Sequence, residues 1–404
     1  MFLNKLIERN PDFIKCVVDF QQDGKIPANS YVLDLDAIGK NAAILAEDGK
    51  RLGMKVFPMT KQIGRNPAAN KILAKAGLDA FVAVDMSGAY QIHDQGLHIG
   101  HLGHLVQTPR AEIDSAVSMK PAYWTVFSKE KAIEISKAAE KQDVKLALMA
   151  RIFDEGDIFY MGHEGGFPAK DILEVADMLD ALPNVYFAGI TTFPALLFNQ
   201  EKQQVEATHN LKTLETALAK LQKAGRTNME VNMPGTTSHL VMDLLASAGA
   251  TQVEPGHGLT GTTPPHALQN LAETPAFLYV TEISHIHAGH PYCFGGGLYI
   301  DPVFPDYAVK ALVGSGAQQA LEQKLSVTLP PANAIDYYGI VEEQKSNAVH
   351  IGDTVVFGFR PQVFVTRAYV SAISGISTGR PEVEGVFTSD GRRADWFEEG
   401  SFGK

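Results

Sequence analysis

The feature that most constrains the fold is an alternation of short β-rich runs with amphipathic helical stretches between residues 55 and 254. Eight such runs occur: KVFPMT, AFVAV, HLGHLVQ, YWTVF, KLALMAR, VYFAGIT, MEVNM and ATQVE. The segments between them place apolar residues at helical spacing, and several end in a glycine that favours a helix C-cap. Because this alternation is typical of parallel strands joined by helical crossovers, it predicts a (β/α)8 TIM-type barrel. A doubly wound open sheet is the alternative.

The pattern changes after about residue 265. Strand-like runs with little helix follow, separated by glycine-rich turns: AFLYVTEISHIHA, GDTVVFGF and VFVTRAYVSAISG. They predict a second, mostly β domain. The early run SYVLDLDAI precedes the barrel strands, and we expect it to pair with that domain. The predicted organisation is an N-terminal helical segment with a first strand over residues 1–37, a barrel over 38–264 and a β domain over 265–404.

Composition excludes several classes of protein. The formal net charge is −11, and lysines and arginines are not clustered, which argues against a nucleic-acid binder. Cys16 and Cys293 are too few for a disulfide framework and are expected to be free thiols in the cytoplasm. Because the apolar runs are short and the first residues carry charges, neither a membrane span nor a signal peptide is expected. The expected ligand is a small molecule.

A lysine ends the first β-rich run. In KVFPMTKQIGRNP the apolar stretch stops at Lys61, and glycine and proline follow. Lys61 therefore falls at the carboxyl end of the first predicted barrel strand, on the face where barrel enzymes assemble their active sites. One interpretation is a solvated surface lysine. The other is a Schiff-base lysine, whose amine loses its proton in a partly desolvated pocket and condenses with an aldehyde.

Two glycine-rich turns follow the last two predicted strands. The strand MEVNM runs through a proline into Gly235, Thr236 and Thr237, before an apolar-periodic stretch. Backbone N–H groups, hydroxyls and the positive end of the following helix favour a phosphate there, whereas a plain Ser/Thr N-cap is the alternative. The next strand leads into a second such turn, Gly256 to Gly258. Two adjacent loops of this type match the usual phosphate site of barrels.

An acidic residue completes the pattern. Glu254 is expected where the eighth strand points into the mouth of the barrel, and there it could hold a ring nitrogen in its protonated form. The alternative is a strand-end carboxylate in solvent. A strand-end lysine, two phosphate-type loops and one carboxylate together match the requirements of pyridoxal 5′-phosphate.

Seven segments carry a resemblance to a known family: YVLDLDAIGKNAAIL, FPMTKQIGRNP, HLVQTP, GITTFP, EPGHGLTGT, PYCFGGG and FRPQVFVTR. With them the chain resembles the fold-type III pyridoxal-phosphate enzymes, the alanine racemase superfamily, and within it the YhfX-type group. The resemblance implies that Lys61 carries the cofactor covalently. It implies that Glu254 pairs with the pyridine nitrogen, as in the decarboxylase branch, whereas alanine racemases use an arginine. The implied phosphate ligands are Gly235, Thr236, Thr237, Gly256, His257 and Gly258.

The chain departs from this pattern in two places. Thr192 stands where relatives commonly have a histidine beside the cofactor. D-serine dehydratase and D-threonine aldolase are similar through the C-terminal domain, but their metal sites use histidine with cysteine or aspartate after a GD strand. Here that stretch reads GDTVVFGFRPQVF, without comparable ligands. The histidines of HIHAGH, at 285, 287 and 290, lack an accompanying ligand pattern, so no metal is expected.

The resemblance also implies a second acid/base group from the β domain of a partner subunit, in a homodimer with shared active sites. Alanine racemases use a tyrosine there and the decarboxylases a cysteine, and this chain has Tyr292 and Cys293 side by side. Cys293 is favoured, since a thiolate is easily stabilised near a pyridinium and Lys61. Two groups on opposite faces of the α-carbon are what a racemase needs. The predicted function is an amino-acid racemase or epimerase; the alternatives are a lyase or decarboxylase and a non-catalytic cofactor carrier.

Overall fold

The computed structural model describes residues 1–301, 303–304, 308–331, 333–342 and 349–394. It divides into two compact units. The barrel unit consists of Ala43–Met59 and Ala74–Gly256. The sheet unit consists of Met1–Ala42, Thr60–Leu73 and the described part of His257–Lys404.

The helices and strands of the described residues are numbered in chain order. The α-helices are α1 Phe2–Arg9, α2 Pro11–Gln22, α3 Leu35–Leu52, α4 Pro67–Lys75, α5 Met86–Asp94, α6 Ile113–Ser118, α7 Lys129–Lys141, α8 Ile172–Asp180, α9 His209–Lys223, α10 Met242–Ser247 and α11 Ala317–Glu322. The strands are β1 Ser30–Asp34, β2 Lys55–Val56, β3 Ala80–Ala83, β4 His98–Leu102, β5 Tyr123–Val126, β6 Leu146–Phe153, β7 Phe167–Pro168, β8 Val185–Thr191, β9 Leu196–Asn199, β10 Gln204–Ala207, β11 Glu230–Asn232, β12 Gln252–Val253, β13 Phe277–His287, β14 His290–Phe294, β15 Lys310–Gly314, β16 Lys324–Thr328, β17 Tyr338–Val341, β18 Thr354–Phe357, β19 Tyr369–Ser374 and β20 Glu382–Phe387.

Eight parallel strands make up the wall of the barrel unit. They lie in the order β2, β12, β11, β8, β6, β5, β4, β3. The two ends of this path meet, because the amide of Val82 in β3 donates to the carbonyl of Pro58, two residues after β2. Each of the eight β-rich runs overlaps one of these strands. The predicted (β/α)8 barrel is therefore confirmed, and the open doubly wound sheet is not formed.

Local sequence explains where the barrel helices begin and which face they bury. The hydroxyl of Ser128 accepts from the amide of Lys131 and so caps the start of α7, a contact that contributes about 1 kcal/mol. Within α7, Ala132, Ile135 and Ala139 recur at helical spacing and are buried. The helical periodicity of the sequence thus marks the face of α7 that is buried.

The sheet unit contains a nine-stranded sheet in the order β14, β17, β16, β15, β18, β13, β1, β19, β20. Strand β1 runs antiparallel to β13 and parallel to β19. Helices α1 and α2 pack on this sheet, and Pro11 fills the first position of α2, where its missing N–H costs nothing. The shared core includes Leu6, Phe13, Ile14, Val17, Val32, Leu278 and Val356.

One predicted strand begins later than expected. The run VFVTRAYVSAISG opens as a 3-10 helix, Val363–Val365, and its strand starts only at Tyr369. The hydroxyl of Thr366 donates to the carbonyl of Val363, a local bond that competes with sheet pairing.

No helix among the described residues combines the length and apolar character needed to span a bilayer.

Candidate active site

Glu254 directly follows β12, and its carboxylate is fully buried in the barrel unit. Its Oε1 lies 2.5 Å from Nδ1 of His101 in β4, and it accepts from the amide of Asn232 in β11 at 3.0 Å. The other nitrogen of His101, Nε2, lies 2.5 Å from the hydroxyl of Thr125 in β5. His104 Nδ1 lies 3.2 Å from Glu254 Oε2. We name these five residues the glutamate cluster.

The glutamate cluster determines the charge of Glu254. Burial by itself raises the pKa of this carboxyl group, but the charges of His104 and His101 and the hydrogen bonds from His101 and Asn232 outweigh burial. The net effect lowers the pKa below its usual value, so the group is a carboxylate at neutral pH. Oε2 accepts no hydrogen bond from the described part of the chain. Oε2 therefore lies within ion-pair distance of His104 but keeps lone pairs that can accept from a ligand donor.

The predicted phosphate loop lies between β11 and α10. Gly235 has φ +135°, and a Cβ there would lie 2.7 Å from the carbonyl oxygen of Leu196, so only glycine fits. Thr236 also has a positive φ, +48°. The hydroxyl of Thr237 is buried and has no hydrogen-bond partner among the described residues. The loop therefore offers a buried donor to a ligand, as a phosphate site requires.

The helix after this loop is shorter than the sequence pattern suggested. A 3-10 turn, His239–Val241, precedes α10, which has only six residues. A helix of this length adds little dipole. The loop's own amides and hydroxyls are therefore the main candidates for holding a phosphate.

Lys61 lies at the start of the 3-10 helix Lys61–Ile63 in the sheet unit. Its Nζ lies 5.0 Å from the centre of the Phe364 ring, within the range of a cation–π contact. His257 belongs to the same unit and lies close enough for the charge of Lys61 to act on it. Lys61, Phe364 and His257 form what we call the lysine cluster.

The pKa of His257 is lowered to about 3, chiefly by burial and then by the charge of Arg360. Its Nε2 lies 2.9 Å from the carbonyl oxygen of Pro361, to which a neutral ring can donate. Arg360 itself pairs with Asp301 at 2.7 Å, and Gln362 donates to the same carboxylate at 2.6 Å. The ring of His257 is therefore neutral at physiological pH and offers its other nitrogen as an acceptor.

The remaining predicted residues lie in both units. Gly256 is the last residue of the barrel unit, and His257 and Gly258 belong to the sheet unit. Tyr292 and Cys293 lie in β14, where adjacent side chains point to opposite faces. Cys293 is fully buried, and burial raises the pKa of its thiol to about 12. Tyr292 is partly exposed and stacks on His285 with ring centroids 4.7 Å apart.

Sequence reasoning missed four members of the glutamate cluster: His101, His104, Thr125 and Asn232. The signal was present in HLGH, which puts two histidines at the carboxyl end of β4. Among the described residues, the metal-type ligand atoms that converge are those of His101, His104 and Glu254, within 4.8 Å of one another. The histidines at 285, 287 and 290 are not part of that group.

Arg151 was also missed. It lies in β6, and its guanidinium carbon is 4.8 Å and 5.7 Å from the ring centres of Phe127 and Phe159. It donates to the carbonyl oxygens of His104 and His163 at 2.9 Å and 2.6 Å. Burial lowers its pKa to about 10, so it keeps its charge at neutral pH. Arg151 thus connects the segment that contains His104 to the loop after β6 through hydrogen bonds.

Comparison with known proteins agrees with this architecture. A family model described as alanine racemase, N-terminal domain, matches residues 33–264, and one described as YhfX-like, C-terminal domain, matches residues 278–383. The chain is 37% identical over 392 residues to the uncharacterized protein YhfX of Escherichia coli (strain K12), covering 97% of this chain and 99% of that protein.

Solved structures share the fold. D-threonine aldolase from Filomicrobium marinum superposes with a TM-score of 0.68 at 14% identity, over 91% of this chain and 96% of its own. Alanine racemase from Clostridium difficile 630, in complex with cycloserine, gives 0.64 at 17% identity, over 90% and 99%. At such identities the likeness concerns the fold alone.

The barrel, the mixed sheet and the family matches define a protein of the alanine racemase fold. The chain belongs to the YhfX-like family, whose barrel is an alanine racemase N-terminal domain. Enzymes of this kind use pyridoxal 5′-phosphate. The residues present fit that group, because the hydroxyl of Thr237 and Oε2 of Glu254 are buried and make no hydrogen bond within the described residues, although Oε2 lies 3.2 Å from His104 Nδ1.

Proposed function

We propose that this protein is a pyridoxal-phosphate-dependent amino-acid racemase or epimerase. The observation that carries the proposal is the buried, ionised carboxylate of Glu254 with one oxygen left for a ligand donor. A carboxylate in that state holds a proton on a heterocyclic ring nitrogen. When bound, pyridoxal phosphate withdraws electrons from the α-carbon of an attached amino acid, most strongly with its ring nitrogen protonated.

The residues divide the work of binding. Gly235 gives the loop before α10 a backbone that a side chain would obstruct, and the loop's amides with the Thr237 hydroxyl donate to the phosphate. Gly256, His257 and Gly258 form the second phosphate loop in this proposal. Glu254 orients the ring, and Lys61 is the covalent attachment point.

Residues of the glutamate cluster and the lysine cluster are close to one another along the chain. The amide of Met59 donates to the carbonyl of Pro255, which directly follows Glu254. Lys61 is only two residues beyond Met59, and His257 is three residues beyond Glu254. Lys61 and Glu254 both lie within the range 33–264 that matches the alanine racemase N-terminal domain, which supports the proposal that they serve one cofactor.

Lys61 removes or returns the α-proton on one face of the substrate, and a second group acts on the other face. The second group comes from Tyr292 or Cys293 of a partner subunit in a homodimer. The burial of Cys293 and the raised pKa of its thiol favour Tyr292, because a fully buried thiol neither reaches a substrate nor ionises readily at neutral pH. Tyr292, partly exposed on the opposite face of β14, has the access that proton transfer requires.

The residues after β18 support a racemase over a metal-assisted lyase. The guanidinium of Arg360 donates to one oxygen of the Asp301 carboxylate, and the side-chain amide of Gln362 donates to the other. Both oxygens of this carboxylate therefore already accept a hydrogen bond. An arginine 2.7 Å from the Asp301 carboxylate repels a divalent cation.

The deciding experiment uses the loaded protein with a panel of L- and D-amino acids in deuterated water. Proton NMR follows exchange at the α-carbon, and chiral chromatography follows configuration. A racemase exchanges the α-proton and interconverts the enantiomers of at least one amino acid, and Glu254→Gln slows both. Release of carbon dioxide or of an aldehyde from a substrate that keeps its configuration would instead identify a decarboxylase or lyase. Absence of exchange across the panel would contradict the racemase proposal.

A further inference from the structure

His101 makes contacts on both sides of its ring inside the barrel unit. It is fully buried, with Nδ1 2.5 Å from Glu254 Oε1 and Nε2 2.5 Å from Thr125 Oγ1. These contacts link three strand ends, since His101 lies in β4, Thr125 in β5 and Glu254 after β12. The function proposed above uses Glu254 but assigns nothing to His101.

The direction of each hydrogen bond follows from the partners. The hydroxyl of Thr191 donates to Asn232 Oδ1 at 2.8 Å, which turns the amide nitrogen of Asn232 toward Glu254. Glu254 as a carboxylate can only accept, so the proton between it and His101 belongs to Nδ1. The direction of the contact between Nε2 and Thr125 does not affect this assignment. His101 is thus a donor to Glu254 through Nδ1.

A metal ion at the same place is the competing interpretation, because His101, His104 and Glu254 converge. Two ligands at 2.0–2.1 Å from a tetrahedral zinc lie about 3.3 Å apart. His101 Nδ1 and Glu254 Oε1 lie closer together than that, in direct hydrogen-bond contact, which leaves no room for an ion between them. The other nitrogen of His101 is engaged by Thr125.

We propose that His101 is a positioning residue that fixes Oε1 of Glu254 by donating its Nδ1–H, so that Oε2 points to the ring nitrogen of the cofactor. This inference rests on the proposed function, because it concerns the same carboxylate. His101 does not touch the cofactor, and Asn232 assists it by donating to the same oxygen.

The test measures binding rather than turnover. The probes are pyridoxal phosphate and its 1-deaza analogue, in which a CH group replaces the ring nitrogen. The ratio of their dissociation constants reports the pairing of Glu254 with that nitrogen. Wild-type protein is expected to prefer pyridoxal phosphate, and Glu254→Gln should reduce the preference about tenfold or more, since a hydrogen bond to a charged group is lost.

Two substitutions of His101 separate its two contacts. The side-chain nitrogen of asparagine is bonded to Cγ, as Nδ1 is, so His101→Asn keeps a donor to Glu254. His101→Gln extends past that position toward Thr125 and leaves Glu254 without the donor. The preference should fall about tenfold in His101→Gln and stay within about threefold of wild type in His101→Asn. His98→Asn, an exposed histidine on the same strand, is the matched control and should match wild type.

The outcomes distinguish this inference from the proposed function. A wild-type preference that Glu254→Gln abolishes and His101→Gln preserves would overturn the role of His101 alone. Equal binding of both probes by wild type would remove the pairing of Glu254, and with it the role of His101.

Nitrogen-15 NMR of histidine-labelled wild-type protein without cofactor gives an independent readout that needs no fold-perturbing change, with His101→Asn used to assign the signal. The inference requires a proton on Nδ1. An unprotonated Nδ1, or one equivalent of zinc in wild type that is lost in His101→Gln, would overturn it.

Discussion

Replacing Gly235 with alanine should weaken both the barrel unit and its hold on pyridoxal phosphate. The backbone of Gly235 has φ +135°, a conformation that costs a residue with a side chain about 1–3 kcal/mol. The new methyl group would also lie 2.7 Å from the carbonyl oxygen of Leu196 and 3.2 Å from its amide nitrogen. Both are backbone atoms, so relief requires the start of β9 or the loop itself to move.

The expected loss of stability for Gly235→Ala is about 2–5 kcal/mol, combining backbone strain with overpacking. Gly77→Ala is the matched control, because Gly77 also has a positive φ, +91°, but nothing lies within 4 Å of its added methyl group. It should lose only about 1–2 kcal/mol. Displacing the loop also removes hydrogen bonds to a charged phosphate, so only Gly235→Ala should bind pyridoxal phosphate at least tenfold more weakly.

Urea unfolding followed by tryptophan fluorescence, to which the fully buried Trp124 of the barrel unit contributes, measures the first quantity. Titration with pyridoxal phosphate measures the second. Equal stability losses and equal cofactor affinities for the two alanine variants would refute the reasoning, because the contact with Leu196 would then have no consequence.

Three further predictions concern proton transfer, pH and metal. Tyr292→Phe should make α-proton exchange depend on the enantiomer supplied, whereas Cys293→Ser should exchange both enantiomers as wild type does; the reverse pattern would return the role to Cys293. Between pH 6.5 and about 3 the unfolded chain binds a proton that folded His257 does not, so this residue makes stability fall as the pH falls. His257→Gln can still donate to Pro361, and its urea midpoint should decline less between pH 7 and pH 4. Treatment with a chelator should leave turnover unchanged, and a zinc ion whose removal abolishes turnover would contradict this.

The sequence predicted the barrel because every strand of its wall carries its own local signal. The preference of a short segment for strand or helix depends on residues that are neighbours in sequence. In the barrel, tertiary packing did not change that local preference. The start of β19 was less predictable, because the hydroxyl of Thr366 closes a turn that competes with the strand. The length of α10 was also missed, since an apolar pattern does not mark where a 3-10 turn replaces the α-helix.

The candidate site was predictable only where one segment carries it. The loop around Gly235 is marked in the sequence by its glycine and hydroxyls, and Lys61 by its position after a strand; both site assignments stay predictions. The contact between His101 and Glu254 joins residues 153 positions apart, and it depends on which strands face each other across the barrel. The sequence also could not show which of the neighbours Tyr292 and Cys293 is accessible, because the packing of β14 decides which side chain is buried.

The central claim is that Lys61 is the residue to which pyridoxal phosphate attaches. The direct measurement is to load the protein, reduce it with borohydride, digest it and identify the modified lysine by mass spectrometry. The account predicts one pyridoxyl group per chain, on the peptide that contains Lys61, and none after the same treatment of Lys61→Ala. A stoichiometric label on another lysine of the wild-type protein, or an equally labelled Lys61→Ala variant, would contradict it.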